Sequence, residues 1–256
     1  MCNVASFRRA AWLEAVRRAQ NGPRGRLVDK PIEQTVCTWD TEAGCDSCGL
    51  HWQLGCRFDR REFLFFVLNQ IPSLVLACLG LILVGLVAKM WWPLIVFVGV
   101  CVALWGLGIE TRVLCSHCPY WAEDSRTLHC WALSGSPKFW RYRPGPMNRV
   151  EKGVIVGFFL FLVVFPGLVE GYGIWLLCQE YTRYGLYALM GMIGITVATI
   201  LAAAQFFLIL RYHYCRRCVN FSCPLNRVPK SRVDMYLRRN RGMQEAWEAS
   251  GYKLDE

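Results

Sequence analysis

Two long apolar blocks, residues 63–109 and 154–210, constrain this chain more than any other feature. A helix crossing a hydrocarbon core of roughly 30 Å needs about 20 apolar residues, so each block is long enough for two spans. A short turn divides each block. In the first, "FLFFVLNQIPSLVLACLGLILVGLVA" runs into Lys89, Met90, Trp91 and Trp92, then "PLIVFVGVCVALWGLGI". Tryptophan belongs at headgroup depth and lysine snorkels to water. In the second, "QEYTRYG" separates residues 154–178 from 186–210. Long soluble core helices need a polar face, and these blocks show none. Backbone in hydrocarbon must satisfy its own hydrogen bonds. The chain therefore reads as an all-α integral membrane protein with four transmembrane helices, arranged as two hairpins in parallel repeat above a Cys-rich cytoplasmic cap.

Positive charge orients the bundle. Lysine and arginine number ten in residues 1–62, seven in 111–152 and ten in 211–256, leaving only Lys89 and Arg183 for the short turns. The positive-inside rule puts the basic side, with both termini, in the cytoplasm, and the protein in the inner (cytoplasmic) membrane. The net charge of +10 thus reads as orientation and contact with membrane lipids. No nucleic-acid motif accompanies it, so nucleic acid is not an expected partner. The segment "MCNVASFRRAAWLEAVRRAQNG" lacks the apolar core of a signal peptide. It reads as a basic amphipathic helix, with Phe7, Trp12 and Val16 on one side, suited to an anionic membrane surface or to packing on the protein itself. The expected organisation is a cytoplasmic N-terminal segment (1–61), hairpin one (62–110), a Cys-rich loop (111–152), hairpin two (153–211) and a Cys-rich tail (212–256).

The same partition sorts the 14 cysteines. Cys78, Cys101 and Cys178 fall in spans, where a small polarizable side chain packs between helices. The other eleven are expected in the cytoplasm with all four histidines. Thiols stay reduced there, and clustered reduced thiols bind metal or do redox chemistry. Cys37, Cys45, Cys48 and Cys56 form one set, spaced C-x7-C-x2-C-x7-C. Two residues between cysteines let both sulfurs face one ion, and Gly49 permits the tight turn. Four thiolates suit tetrahedral zinc or an iron–sulfur cluster.

Two further sets have three cysteines each: Cys115, Cys118 and Cys130, then Cys215, Cys218 and Cys223. Three arrangements satisfy the count. A histidine completes each set, with His129 and His213 as candidates. Alternatively Cys115, Cys118, Cys215 and Cys218 form one four-sulfur site, leaving Cys130 and Cys223 free. Or each set holds a cluster with one open iron position. Cys115 follows Arg112 by three residues and Cys215 follows Arg211 by four. If the hairpins repeat about an axis along the membrane normal, the two C-x2-C pairs meet beneath the spans.

This layout is similar to that of the ferredoxin-type membrane proteins that accompany periplasmic nitrate reductase and nitrous-oxide reductase, which place cysteine motifs after spans two and four. The similarity covers architecture over about 150 residues. Their motif is C-x3-C-P, whereas this chain has C-x2-C and then Cys223-Pro224. A thiolate followed by proline also ends ferredoxin runs.

Glu170, in "FPGLVEGYGIW", is an acidic residue in a span, which is costly and functional by default. It reads as a proton-relay or quinone-site carboxylate, or as a residue reaching outer water near the end of span three, the reading its position favours. Asn69 and Gln70 suit helix-packing hydrogen bonds. The loop 135–152 mixes Phe139, Trp140 and Tyr142 with basic residues, as an interfacial anchor does. Residues 231–252 read as one or two amphipathic helices, capped by Ser231 with Asp234 and packed through Met235, Leu237, Met243 and Trp247. Walker A, GxGxxG, HExxH and GxSxG signatures are lacking, as is the Asp-His-His-Cys motif of palmitoyltransferases. The expected function is electron transfer through iron–sulfur clusters between cytoplasmic and membrane partners. The alternatives are a zinc-stabilised scaffold or assembly factor, and a thiol-based metal carrier or transporter.

Overall fold

The structure is a computed structural model and describes residues 36–40 and 43–255. The amphipathic helix expected near the N-terminus lies outside the described residues. Seven α-helices are described: α1 (Arg60–Ala88), α2 (Trp92–Cys101), α3 (Ile109–Val113), α4 (Arg149–Gln179), α5 (Tyr181–Ile209), α6 (Lys230–Arg239) and α7 (Arg241–Ala249). No strand occurs among the described residues.

Three stretches, α1, α4 and α5 with its extension to Tyr214, are long and apolar enough to cross a membrane. At 29 and 31 residues, α1 and α4 each rise more than about 40 Å. The second expected span is different. It runs as α2 and a π-helical turn (Val102–Gly106), then bends by 48° into α3 and the following turn. The bend is local chemistry. Gly108 adopts φ 72°, a left-handed conformation that glycine accepts without strain. Its carbonyl accepts from Thr111 Oγ1 at 2.8 Å and from Trp140 Nε1 at 3.1 Å. The expected second span is thus a bent pair, and counting it as one span gives four stretches long and apolar enough to cross a membrane.

The turns fall where the polar and aromatic interruptions put them. Lys89 ends α1 at φ 55°. Glu180 separates α4 from α5, and Gly185 (φ 76°) kinks the first turn of α5. Among the helices, α1, α4 and α5 pack on one another, and α2 lies against α1 and α4. Their shared core includes Ala77, Leu81, Val84, Phe97, Val169, Leu177 and Met192. Gln205 Nε2 donates to Asn69 Oδ1 at 3.3 Å, so Asn69 does tie α1 to α5.

Segments outside the long helices pack around a second core. Val36, Leu50 and Leu54 meet Tyr120, Trp121, Leu128, Val219, Tyr236, Leu237, Met243 and Trp247 there. Phe66, Phe206 and Tyr214 join this core to the bundle. The tail forms two helices as expected, but their details differ. Met235 is 44% exposed, because it lies on the opposite side of α6 from Tyr236 and Leu237. Ser231 caps nothing, since α6 begins after Pro229. Asp234 instead accepts from Tyr252 Oη at 2.7 Å and from Lys230 at 3.0 Å, which pins the chain end. The loop before α4 is held rather than loose. Arg143 pairs with Glu151 at 2.7 Å, Arg112 lies over Trp140, and Asn148 with Glu151 makes a reciprocal cap.

Candidate functional site

Six cysteines from two distant segments line one cavity of about 170 Å³ at the foot of the long helices. Cys115, Cys118 and Cys130 come from the chain after the bent pair. Cys215, Cys218 and Cys223 come from the chain after α5. Both C-x2-C pairs line this cavity with Cys130 and Cys223, but the expected convergence of Cys115, Cys118, Cys215 and Cys218 on one ion is not seen among the described residues. Phe66, Phe158 and Phe206 close the side toward the bundle.

The local backbone explains how the sulfurs are presented. Residues Cys115–His117 make one tight helical turn, and Cys118 leaves it extended, with its N–H donating to Cys115 O at 2.9 Å. Cys45–Ser47 and Cys48 repeat this geometry, with the equivalent bond at 3.0 Å. Around the cavity, sulfurs face backbone N–H groups two or three residues ahead. Leu133 N donates to Cys130 Sγ at 3.1 Å and Asn220 N to Cys218 Sγ at 3.4 Å. Tyr120 N serves Cys118, and Leu225 N and Asn226 N serve Cys223. Such donors favour the charged form of the sulfur they face.

Burial works against that charge. It pushes the Cys218 and Cys223 thiols up to about 12 and Cys130 up to about 11. Burial and then the neighbouring Cys223 raise Cys215 to about 12. Cys118 is also raised, by burial first and then by Cys218 and Cys130. Six thiols without a cation are thus neutral at pH 7. A cation would reverse the balance, since the N–H donors are already aimed.

The four-cysteine set borders a second cavity of about 460 Å³. Arg57 Nη2 donates to Cys45 Sγ at 3.2 Å and Asn240 Nδ2 to Cys37 Sγ at 3.3 Å. Asn240 Oδ1 accepts from Cys37 N at 2.7 Å, so the set leans on the end of α6. Burial, then repulsion from Cys37, Cys48 and Cys45, pushes Cys56 up to about 12. Among the described residues, no three His, Cys, Asp or Glu side chains converge closely enough to hold one ion.

The histidines lie elsewhere. His129 Nδ1 is 2.8 Å from Glu123 Oε2, and His213 Nε2 is 2.8 Å from Glu62 Oε2. His117 Nδ1 is 2.6 Å from Gly145 O. None of these three lines the six-cysteine cavity. His51 stacks on Trp52 and borders the four-cysteine cavity.

Three contributors are not singled out by the sequence. Glu110 is 8% exposed, lines the six-cysteine cavity, and its Oε2 has no hydrogen-bond partner. It lies two residues after Gly108, in the short helix beyond the bend. Gly55 and Trp131 line both cavities and form the wall between them. Tyr120 Oη donates to Gly55 O at 2.7 Å.

Glu170 does not reach outer water. It is 0% exposed, between α1 and α5, with Oε1 3.2 Å from Thr199 Oγ1 and Oε2 unpaired. The outer-water reading is overturned because Gly80 of α1 leaves a notch that the carboxyl fills. A Cβ built there would lie 2.0 Å from Glu170 Oε1.

Comparison with family models, curated proteins and solved structures finds no match.

Proposed function

We propose that the chain is a multi-pass inner-membrane protein, with both termini cytoplasmic and a cysteine-rich cytoplasmic cap that carries electrons between a cytoplasmic donor and a membrane partner. In this reading Cys115, Cys118, Cys130, Cys215, Cys218 and Cys223 hold an iron–sulfur centre. Cys37, Cys45, Cys48 and Cys56 hold a second metal centre. A reduced cytoplasmic protein loses an electron to the centres, and an oxidised carrier in or on the bilayer gains it. The bent pair serves as the fourth crossing.

The carrying observation is six cysteines from two segments on one cavity. A water needs only about 10–15 Å³ of such space, so 170 Å³ suits a polynuclear centre better than a single ion. Backbone N–H groups aimed at sulfur are among the features that tune iron–sulfur potentials. The shared wall at Gly55 and Trp131 supports exchange between two neighbouring centres. Cysteine placement after the second and fourth crossings is also the layout of the ferredoxin-type membrane proteins.

A second reading, a zinc-clamped scaffold, is favoured by one feature. The four-cysteine set ties residues 36–59 to α6 through Asn240, as a structural metal would. Cys218→Ser separates the readings. Loss of a reducible spectroscopic signal in protein that still folds supports the electron carrier. Loss of assembly with no redox signal in the wild type supports the scaffold.

A further inference from the structure

We propose that Glu170 is a proton-binding site inside the membrane, reached from the six-cysteine cavity along a polar track of Gln70, Ser73 and Thr199. The proposal concerns protons alone and holds whatever occupies the cysteine cavity.

Hydrogen-bond bookkeeping gives the proton its place. Thr199 Oγ1 lies 2.9 Å from Ile195 O and 3.2 Å from Glu170 Oε1. A hydroxyl has one hydrogen, so Thr199 shares its own between Ile195 O and Glu170 Oε1. Thr196 likewise faces both Met192 O, at 2.9 Å, and the carboxyl. The carboxyl therefore receives only shared hydrogen bonds. The neighbours of the carboxyl are Gly80 from α1 and these two threonines from α5. Among the described residues no cation pairs with it. A bare carboxylate with one unpaired oxygen would be costly here, whereas a neutral acid fits.

The track follows helix periodicity. Gln70, Ser73, Ala77 and Gly80 fall at i, i+3, i+7 and i+10, one face of α1. Thr196, Thr199, Ala203 and Phe206 repeat that spacing on α5. Between these faces lies a cavity of about 30 Å³ bordered by Gln70, Ser73 and Thr199, room for about two waters. Gln70 and Phe206 border this cavity and the six-cysteine cavity alike. Small residues make the room: Gly167 and Ala203 line it. Glu110, with its free oxygen on the larger cavity, stands at the track's entrance. A proton enters past Glu110, passes through the smaller cavity to Thr199, and reaches Glu170, which lies behind that cavity, across the 3.2 Å contact with Thr199 Oγ1. No bond other than O–H is made or broken.

The test is infrared spectroscopy of the full chain in lipid vesicles, reading the carbonyl band of a protonated carboxyl and its shift after transfer to D₂O. The expected result is a band lost in Glu170→Gln, retained in Glu110→Gln and displaced in Gly80→Ala, where the added methyl pushes the carboxyl aside. Thr199→Val should slow its deuterium exchange by about tenfold, the factor equivalent to one net hydrogen bond. If Glu170→Gln fails to fold, the Gly80→Ala displacement and the Thr199→Val rate still decide. A wild-type spectrum without a band that answers to these substitutions overturns the site. Exchange as fast in Thr199→Val as in the wild type overturns the track.

Discussion

The Tyr120 hydroxyl donates to the Gly55 carbonyl across 2.7 Å, at the wall where the two cysteine-lined cavities meet. At this wall the Trp131 ring fills the space that a side chain on Gly55 would need. A Cβ on Gly55 would lie 2.4 Å from the Trp131 ring. Gly55→Ala should therefore displace the indole that borders both sites. We expect a stability loss of about 1–3 kcal/mol, typical of overpacking, and reduced metal content at both sites. Tyr120→Phe should cost about 1 kcal/mol and leave metal content unchanged. Thermal unfolding with metal analysis of each variant checks both.

Asn240 is the buried support of the four-cysteine set. It accepts from the Cys37 amide and donates to the Cys37 sulfur and to Tyr236 O. Asn240→Ala strands a buried N–H, a loss of about 1–3 kcal/mol. It should also weaken metal retention there by roughly 10–100-fold, as loss of an outer-shell partner does. Competition with a chelator, comparing wild type and variant, measures it. The six-cysteine centre should be unaffected.

Metal-free protein should be sensitive to alkali. Cys56, Cys215, Cys218 and Cys223 ionise near 9.0 in an unfolded chain, but burial raises each to about 12 in the folded one. Between those values the unfolded chain releases protons that the folded chain keeps. Stability is thus fully present below pH 9 and falls as pH rises toward 12. Metal-loaded protein, whose sulfurs are already deprotonated, should lack this loss. Denaturant midpoints across pH 8–11 for both forms read the difference.

Orientation has its own test. An impermeant maleimide applied to intact cells should leave Cys45, Cys118 and Cys218 unlabelled, and permeabilised, metal-stripped protein should label. A reporter fused after Glu256 should be active only as a cytoplasmic fusion. Extracytoplasmic activity would remove the argument for reduced thiols.

Much of the bundle is legible in the sequence because hydrocarbon leaves few choices. Runs of twenty apolar residues must be helical, and Lys89 and Glu180 mark the turns. The bend at Gly108 is not legible, since it depends on Trp140, a residue thirty-two positions away, donating to the Gly108 carbonyl. The C-x2-C spacing reveals Cys115, Cys118, Cys215 and Cys218 as pairs, and their offset from the span ends suggests that they meet. That Cys130 and Cys223 join them follows from how the loop and tail fold back. Histidine candidates beside a cysteine in sequence, such as His129 and His213, prove to face carboxylates instead. Glu170 shows the limit of counting along one helix. Rise per residue gives its depth, but only Gly80 and Thr199, on two other helices, fix what surrounds it.

The central claim is that the six-cysteine cavity holds a redox-active iron–sulfur centre. Iron, acid-labile sulfide and zinc should be quantified in the full chain purified without oxygen, alongside Cys218→Ser. The account predicts brown wild-type protein with iron and sulfide in matching amounts, bleached by reductant, and loss of that signal in folded Cys218→Ser. Colourless protein carrying stoichiometric zinc and no sulfide would contradict it.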